Sequence, residues 1–335
     1  MFDACFNTAL ANVKLVIFNE NRKIMSTFAP FLGISMDREK LTGHLCMGVA
    51  YAIFGLNIVF CKDIANSDVI SPGVLFVLRA IGASALFWII SLFTPKETVD
   101  RKDFAKIAAA SFVGLFVPQF TFLMAITMAS SIDTAIMGTL GPIFTMFFAF
   151  LFLGEPITGK KAAGVATSFA GILFLIFNSV HTGGSNASTP LGIALLLLNS
   201  LSFSLYLGLF RPLISKYSVV TFMKWMFLFA LLISLPVFGK GLVTTNYLAI
   251  TPDVLREIAF LIIFATFVAY FLIPIGQKYL RPTLVSMYSY LQPIIATVIS
   301  ISVGMDSLTW QKVLAMGLVV GGVVLVSRSR AASRG

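Results

Sequence analysis

Charge is what this chain has least of. Only 11% of its 335 residues are Asp, Glu, Lys or Arg, against roughly 25% in a soluble globular domain. So few charges cannot cover the surface of a soluble protein of this length, and an ordinary cytosolic enzyme is excluded. Cysteine and histidine are scarce too. Three Cys (Cys5, Cys46, Cys61) and two His (His44, His181) supply neither a disulfide framework nor a recognisable zinc site. Cys46 and Cys61 share one apolar stretch and would stand about 22 Å apart on a helix, too far to bond each other. The sequence also lacks a glycine-rich loop for cradling phosphate, so no nucleotide-driven step is encoded in this chain, and no cofactor is expected.

What is there instead is apolar: 58% of residues are hydrophobic, with 33 Phe and 25 Gly. That mixture suits lipid-facing helices packed through small residues. The net charge of +10 calls for no nucleic-acid partner, because the cytoplasmic loops of membrane proteins collect Lys and Arg. A helix needs about 20 apolar residues to cross the hydrocarbon layer. Ten stretches qualify, at roughly 42–62, 71–94, 104–127, 131–153, 160–178, 190–210, 218–238, 256–276, 282–304 and 309–327. The connections are short and polar, the segment between His181 and Pro190 being the one flexible linker. The runs are too long, and lack the alternation, for a membrane β-barrel. The expected class is an all-α integral membrane protein with the lipid bilayer as its surroundings.

With the N-terminus inside, eighteen Lys and Arg fall on inner segments. Four (Lys62, Lys240, Arg256, Lys312) fall outside. The bias places both termini in the cytoplasm of a multi-pass protein of the cytoplasmic membrane. Residues 1–41 read as a cytoplasmic tail. Met1–Phe18 is apolar only in patches, broken by Asp3 and Lys14, and reads neither as a signal peptide nor as a further span. Met36–Lys40 resembles a short charged start, so residues 1–35 are expected to be dispensable; an interfacial amphipathic helix is the alternative.

The halves repeat. A shift of 151 residues brings Phe116-Val117 onto Phe267-Val268, Phe120 onto Phe271, and Leu140, Pro142 and Ile143 onto Leu291, Pro293 and Ile294. Thr158 and Lys161 meet Thr309 and Lys312. At a shift of 149, Phe54 meets Phe203 and Lys62 meets Arg211. Repeat 1 spans 42–178 and repeat 2 spans 190–328, joined by an external linker at 179–189 and followed by a tail at 329–335. Five spans per repeat is an odd number, so the second copy enters the membrane upside down. Inverted repeats are the usual construction of secondary transporters, with the substrate near midplane between the copies.

Particular residues carry a family resemblance. They are Phe54-Gly55 and Lys62 in the first span, Pro72 followed by Arg79 in the second, Ala129 to Pro142, and Leu153-Gly154-Glu155-Pro156-Ile157-Thr158. On these the chain resembles the drug/metabolite transporter superfamily, EamA type, over about four-fifths of its length. The resemblance implies two inverted five-helix repeats, cytoplasmic termini and the export or import of small metabolites such as amino acids, with export as the leading direction. The second copy departs from the pattern. Gly304-Met305-Asp306-Ser307 stands where Gly-Glu is expected, and the seventh span has no counterpart of Arg79.

Ionisable groups at membrane depth are the best pointers to a site. Arg79 lies about 12 Å below the outer end of its span. It would bind a substrate carboxylate or phosphate or form a gate ion pair; capping loop carbonyls is the bland alternative. Lys224, about 9 Å deep, would snorkel to the interface. Asp133 is a first-turn carboxylate or a protonatable coupling group. Glu155 reads as a loop contact to Lys160 or Lys161, and with Asp133 is one of two carboxylates able to carry a coupling proton.

Neutral polar residues would line the pathway: Asn57 paired by the repeat with Tyr206, Gln119 with Tyr270, Thr139 with Tyr290, and Gln292 before Pro293. Pro142 and Pro293 would act as matched pivots. Gly164-xxx-Ser168 and Gly317-xxx-Gly321 are small-residue faces suited to helix packing or to a homodimer. A small-molecule carrier working by alternating access is the leading reading. A sugar-phosphate or nucleotide-sugar carrier would want more basic groups than Arg79 and Lys224. A lipid-modifying enzyme would want paired His, Asp or Glu at depth.

Overall fold

The computed structural model describes residues 38–129, 137–138, 140–180, 189–292, 294–295 and 310–328. Among the described residues every regular element is helical. The helices are α1 (Arg38–Asn66), α2 (Pro72–Ser91), α3 (Arg101–Ala125), α4 (Gly141–Leu153), α5 (Gly159–Val180), α6 (Pro190–Leu209), α7 (Arg211–Lys216), α8 (Val219–Thr244), α9 (Pro252–Tyr279), α10 (Pro282–Met287) and α11 (Trp310–Ser327). Six continuous helices are long and apolar enough to cross a membrane by length and composition, namely α1 from Glu39, α2, α3, α6, α8 and α9. Asp133, Thr139, Pro293 and the 1–35 tail lie outside the described residues.

Helix starts follow a common signal. Ser71-Pro72, Thr189-Pro190 and Thr251-Pro252 each place a hydroxyl N-cap before a proline, and each hydroxyl accepts the N–H three residues on. The missing proline N–H would have had no helical partner there. Thr251 therefore starts α9 four residues before the boundary expected from hydropathy. Pro142 also stands in a first turn, as the second residue of α4, but Leu140 before it provides no side-chain cap. The earlier part of the expected span, 131–136 and 139, lies outside the described residues. Gly154 ends α4 in the left-handed region at φ 64°, where a Cβ would be strained.

Two pairs of repeat-related helices pack on each other, and both run antiparallel. At one end of α2, Glu97 accepts from the backbone N–H and hydroxyl of Ser218, the N-cap of α8. At the other end, Gly73 abuts Phe238, near the C-terminus of α8. Likewise Gly164, early in α5, faces Gly322 and Val326, late in α11, and the Ser168 hydroxyl donates to the Val319 carbonyl at 3.1 Å. The Gly164/Ser168 face is thus used inside the chain. Gly317 and Gly321 have no neighbour for a Cβ among the described residues.

Two helices carry π-helical turns, Phe112–Phe116 within α3 and Leu261–Val268 within α9. Shifted by 151, the first falls inside the second. The turn in α3 has a visible cause. Pro118 has no N–H to return to the preceding turn, and the Val113 carbonyl, five residues back, instead accepts the Ser202 hydroxyl at 2.7 Å.

Candidate functional site

The two repeats meet around a cavity of about 140 Å³. At 10–15 Å³ per water, that is room for on the order of ten waters or one small solute. Tyr51, Phe54, Asn57 and Ile58 of α1 reach it as one stripe at helical spacing. From the first repeat come also Arg79, Gln119 and Phe122. From the second come Asn199, Phe203, Tyr270, Ser289 and Gln292. Two repeat-related pairs, Phe54 with Phe203 and Gln119 with Tyr270, therefore line one space.

Arg79 is 3% exposed. Its Nε donates to the Thr266 hydroxyl at 2.8 Å, and its Nη1 lies 3.9 Å from the Cys61 sulfur. None of the ion pairs among the described residues includes it. A buried guanidinium without a carboxylate costs several kcal/mol in lost solvation. Around the same cavity the Gln119 Nε2 and the Ser289 hydroxyl also lack partners among the described residues. Arg79 and Gln119 both neighbour Tyr270. Three donor groups thus face a small space walled by Tyr51, Phe54, Phe122, Phe203 and Tyr270. That lining can hold a small solute that combines an anionic group with an apolar or aromatic body.

Of the residues singled out by sequence, the cavity gathers Arg79, Asn57, Gln119, Tyr270 and Gln292. Tyr206 and Tyr290 are elsewhere. Tyr206 is packed against Gly114, Phe203 and Phe210, and Tyr290 is fully buried. The Tyr206 ring is thus taken up in helix contacts, and neither tyrosine lines the cavity. Lys224 lies over the Trp88 ring at 5.1 Å, away from the cavity. Thr266 was missed by sequence reading, since a lone Thr in an apolar run carries no signal without its neighbour across the bundle.

A second group of charges closes one end of the bundle. Glu155 accepts from the Lys161 Nζ at 2.7 Å, pairs with Arg211 at 3.4 Å, and accepts from the Thr283 hydroxyl at 3.4 Å. This binds α4, α5, α7 and α10 together. Beside it, Asp103 takes Lys106, Lys216 and the Tyr217 hydroxyl, and Lys278 donates to the Tyr217 carbonyl. His44 bonds the Tyr288 hydroxyl, and the Tyr288 ring stands 6.4 Å from that of Tyr51, so aromatic contacts run from this pair to the cavity wall. Lys62, the repeat mate of Arg211, sits at the opposite end and donates to the Ile126 carbonyl.

Comparison with known proteins fits this architecture. The model of the EamA-like transporter family matches residues 41–177 and again 190–328. An uncharacterized transporter of Archaeoglobus fulgidus is 24% identical over 78% of this chain and 90% of its own length. YyaM of Bacillus subtilis, also an uncharacterized transporter, is 24% identical over 73% and 81%. The uncharacterized inner membrane transporter YedA of Escherichia coli K12 is 26% identical over 59% and 62%. One crystal structure superposes with a TM-score of 0.68 at 16% identity, covering 88% of this chain and 97% of that one, which speaks to the fold.

Proposed function

The chain belongs to the EamA-like transporter family, and we propose that it is a secondary carrier moving a small organic metabolite by alternating access of its two repeats. An amino acid or related solute is the proposed substrate, and export the proposed direction. The observation that carries this reading is the cavity between the repeats. It is walled by residues of both, and holds a buried Arg79 that none of the ion pairs among the described residues includes. A substrate carboxylate would supply the missing charge through the guanidinium fork. The protein is a multi-pass membrane transporter; ten spans and cytoplasmic termini complete the proposal.

Support for the orientation comes from one end of the bundle. The contacts of Glu97 with Ser218 and of Glu155 with Arg211 and Thr283 bring together the 92–100, 154–158, 210–218 and 280–281 connections. Together with the helix ends that flank them, these connections carry Lys96, Arg101, Lys102, Lys106, Lys160, Lys161, Arg211, Lys216, Lys278 and Arg281, as a cytoplasmic face would. Because Glu155 already pairs with two cations, it is proposed as a closure contact of that face. Asp133 is then the proposed carrier of any coupling proton.

Reconstituted vesicles loaded with labelled amino acids, assayed for efflux and uptake with and without a pH gradient, test the reading. Saturable movement lost in Arg79→Ala supports it. Saturable movement unchanged in that variant removes Arg79 from the site, and no movement of any solute overturns the substrate class.

A further inference from the structure

The contact between Arg79 and Thr266 links the cavity to the backbone of α9. Thr266 is fully buried, and its single hydroxyl does two things. It accepts from the Arg79 Nε at 2.8 Å and donates to the Leu261 carbonyl, five residues back, at 2.7 Å. A hydroxyl has one proton, so donation to Leu261 leaves its lone pairs for Arg79. Leu261 opens the π-helical turn Leu261–Val268, and a bond reaching five residues back follows the π register rather than the α register. The π turn thus aims the hydroxyl, and the hydroxyl aims the guanidinium. Gly82, three residues beyond Arg79, lets α2 lie against Ile262 of the same turn, where a Cβ would collide.

We propose that Thr266 is the positioning residue for Arg79, and that the π turn of α9 is the element through which the bundle senses what Arg79 holds. Straightening that turn to α register would rotate one half of α9 against the other by about 100° and advance it about 1.5 Å. Thr266 would leave Arg79, and Tyr270, one turn on, would move relative to Gln119. An anion that recruits the guanidinium into the cavity removes the restraint on the π register. Binding thereby shifts the helix between two states, because it interacts differently with each. The link exists in one repeat only. In α3 the Val113 carbonyl of the matching π turn is held by Ser202 instead, and the seventh span has no arginine to match Arg79. The consequence for transport rests on the carrier reading above; the coupling between Arg79 and the turn does not.

Amide hydrogen exchange on the purified full chain in detergent tests the coupling without any ligand. Thr266→Val should speed exchange across 261–268 by roughly ten- to a hundredfold, the scale of a lost bond to a charged group. Arg79→Gln should do the same, the double variant should add nothing further, and Thr266→Ser should rescue. Exchange unchanged in Arg79→Gln, or additive effects in the double variant, would overturn the proposal. If Thr266→Val fails to fold, Arg79→Gln measured in the Thr266→Ser background decides the same question. In vesicles, Thr266→Val should raise the half-saturating concentration of the transported amino acid roughly tenfold, again rescued by Ser; an unchanged value overturns the positioning role. Should the wild type move no amino acid while exchange is coupled, the carrier reading fails and the Arg79–Thr266 link stands.

Discussion

Two buried cations in this molecule are wired in opposite ways. Lys161 is 1% exposed and meets Glu155 at 2.7 Å, with Arg211 sharing the carboxylate. Arg79 is 3% exposed and meets a hydroxyl and a thiol. Depth alone does not separate them. The counter-charge does: at the Lys161 end a carboxylate of the protein pairs with the cation, whereas no ion pair among the described residues includes Arg79. A charge satisfied within the fold holds helices together, and one left over is available to a ligand.

The largest effect should come from breaking the unsatisfied side. Arg79→Gln should reduce transport roughly 100-fold or more, within the 2–5 kcal/mol scale for losing one partner of a buried charged contact. Membrane insertion and thermal midpoint should be largely kept. Arg79→Lys should recover only part, since an ammonium lacks the two-pronged geometry. Labelled efflux beside a membrane-fraction blot reads both. Equal losses of transport and folding would erase the contrast with Lys161. The satisfied side should fail the other way. Glu155→Ala strands Lys161 without its carboxylate, which costs about 3–5 kcal/mol, read as a lowered midpoint in denaturant. Glu155→Leu with Lys161→Met, removing both charges, should recover much of it. If it does not, the pair is doing something other than holding α4 to α5.

That contrast was half legible in the sequence. Apolar run length located the six spans that the described residues show, and the repeat gave Gln119 with Tyr270 and Phe54 with Phe203, two pairs that wall the cavity, because both depend on composition and spacing along one helix. Arg79 and Glu155 stood out because ionisable groups are rare in apolar runs. The way each is satisfied was not legible, because it depends on contacts between distant segments: Thr266 lies 187 positions from Arg79. The repeat likewise paired Tyr206 with Asn57, yet of the two only Asn57 lines the cavity. Period and shift fix height along a helix, while facing is set by the neighbour it packs on. The π turns shift that facing further, and only Pro118 hinted at one.

Close packing around the π turn gives a smaller effect. Gly114 faces the Tyr206 ring so closely that a Cβ would collide with it, whereas a Cβ at Gly48 would meet nothing within 4 Å. Gly114→Ala should cost about 1–3 kcal/mol through forced repacking. Gly48→Ala, in the interior of α1, should gain about 0.5–1 kcal/mol. Thermal midpoints of the two variants, measured side by side, check the sign of each; a neutral Gly114→Ala would mean the Tyr206 ring yields easily.

The smallest effect lies at the closed end, where the repeats touch through an exposed carboxylate. Partial desolvation pushes the Glu97 carboxyl up, but the hydroxyls of Ser218 and Thr221, the Ser218 N–H and the charge of Lys278 outweigh it, so it sits below its usual value. A carboxyl with a lowered folded value stabilises above the free glutamate value of about 4.3. That contribution fades as pH falls through the folded value. Solvent screening holds it to a few tenths of a kcal/mol. The midpoint difference between wild type and Glu97→Gln should therefore be present at pH 7 and shrink by pH 4, while the titration of other carboxylates cancels between the two proteins. A difference constant across that range would mean that Glu97 joins α2 to the start of α8 by shape rather than by charge. The contrast would then be confined to Arg79 and Lys161, the two cations that water does not reach.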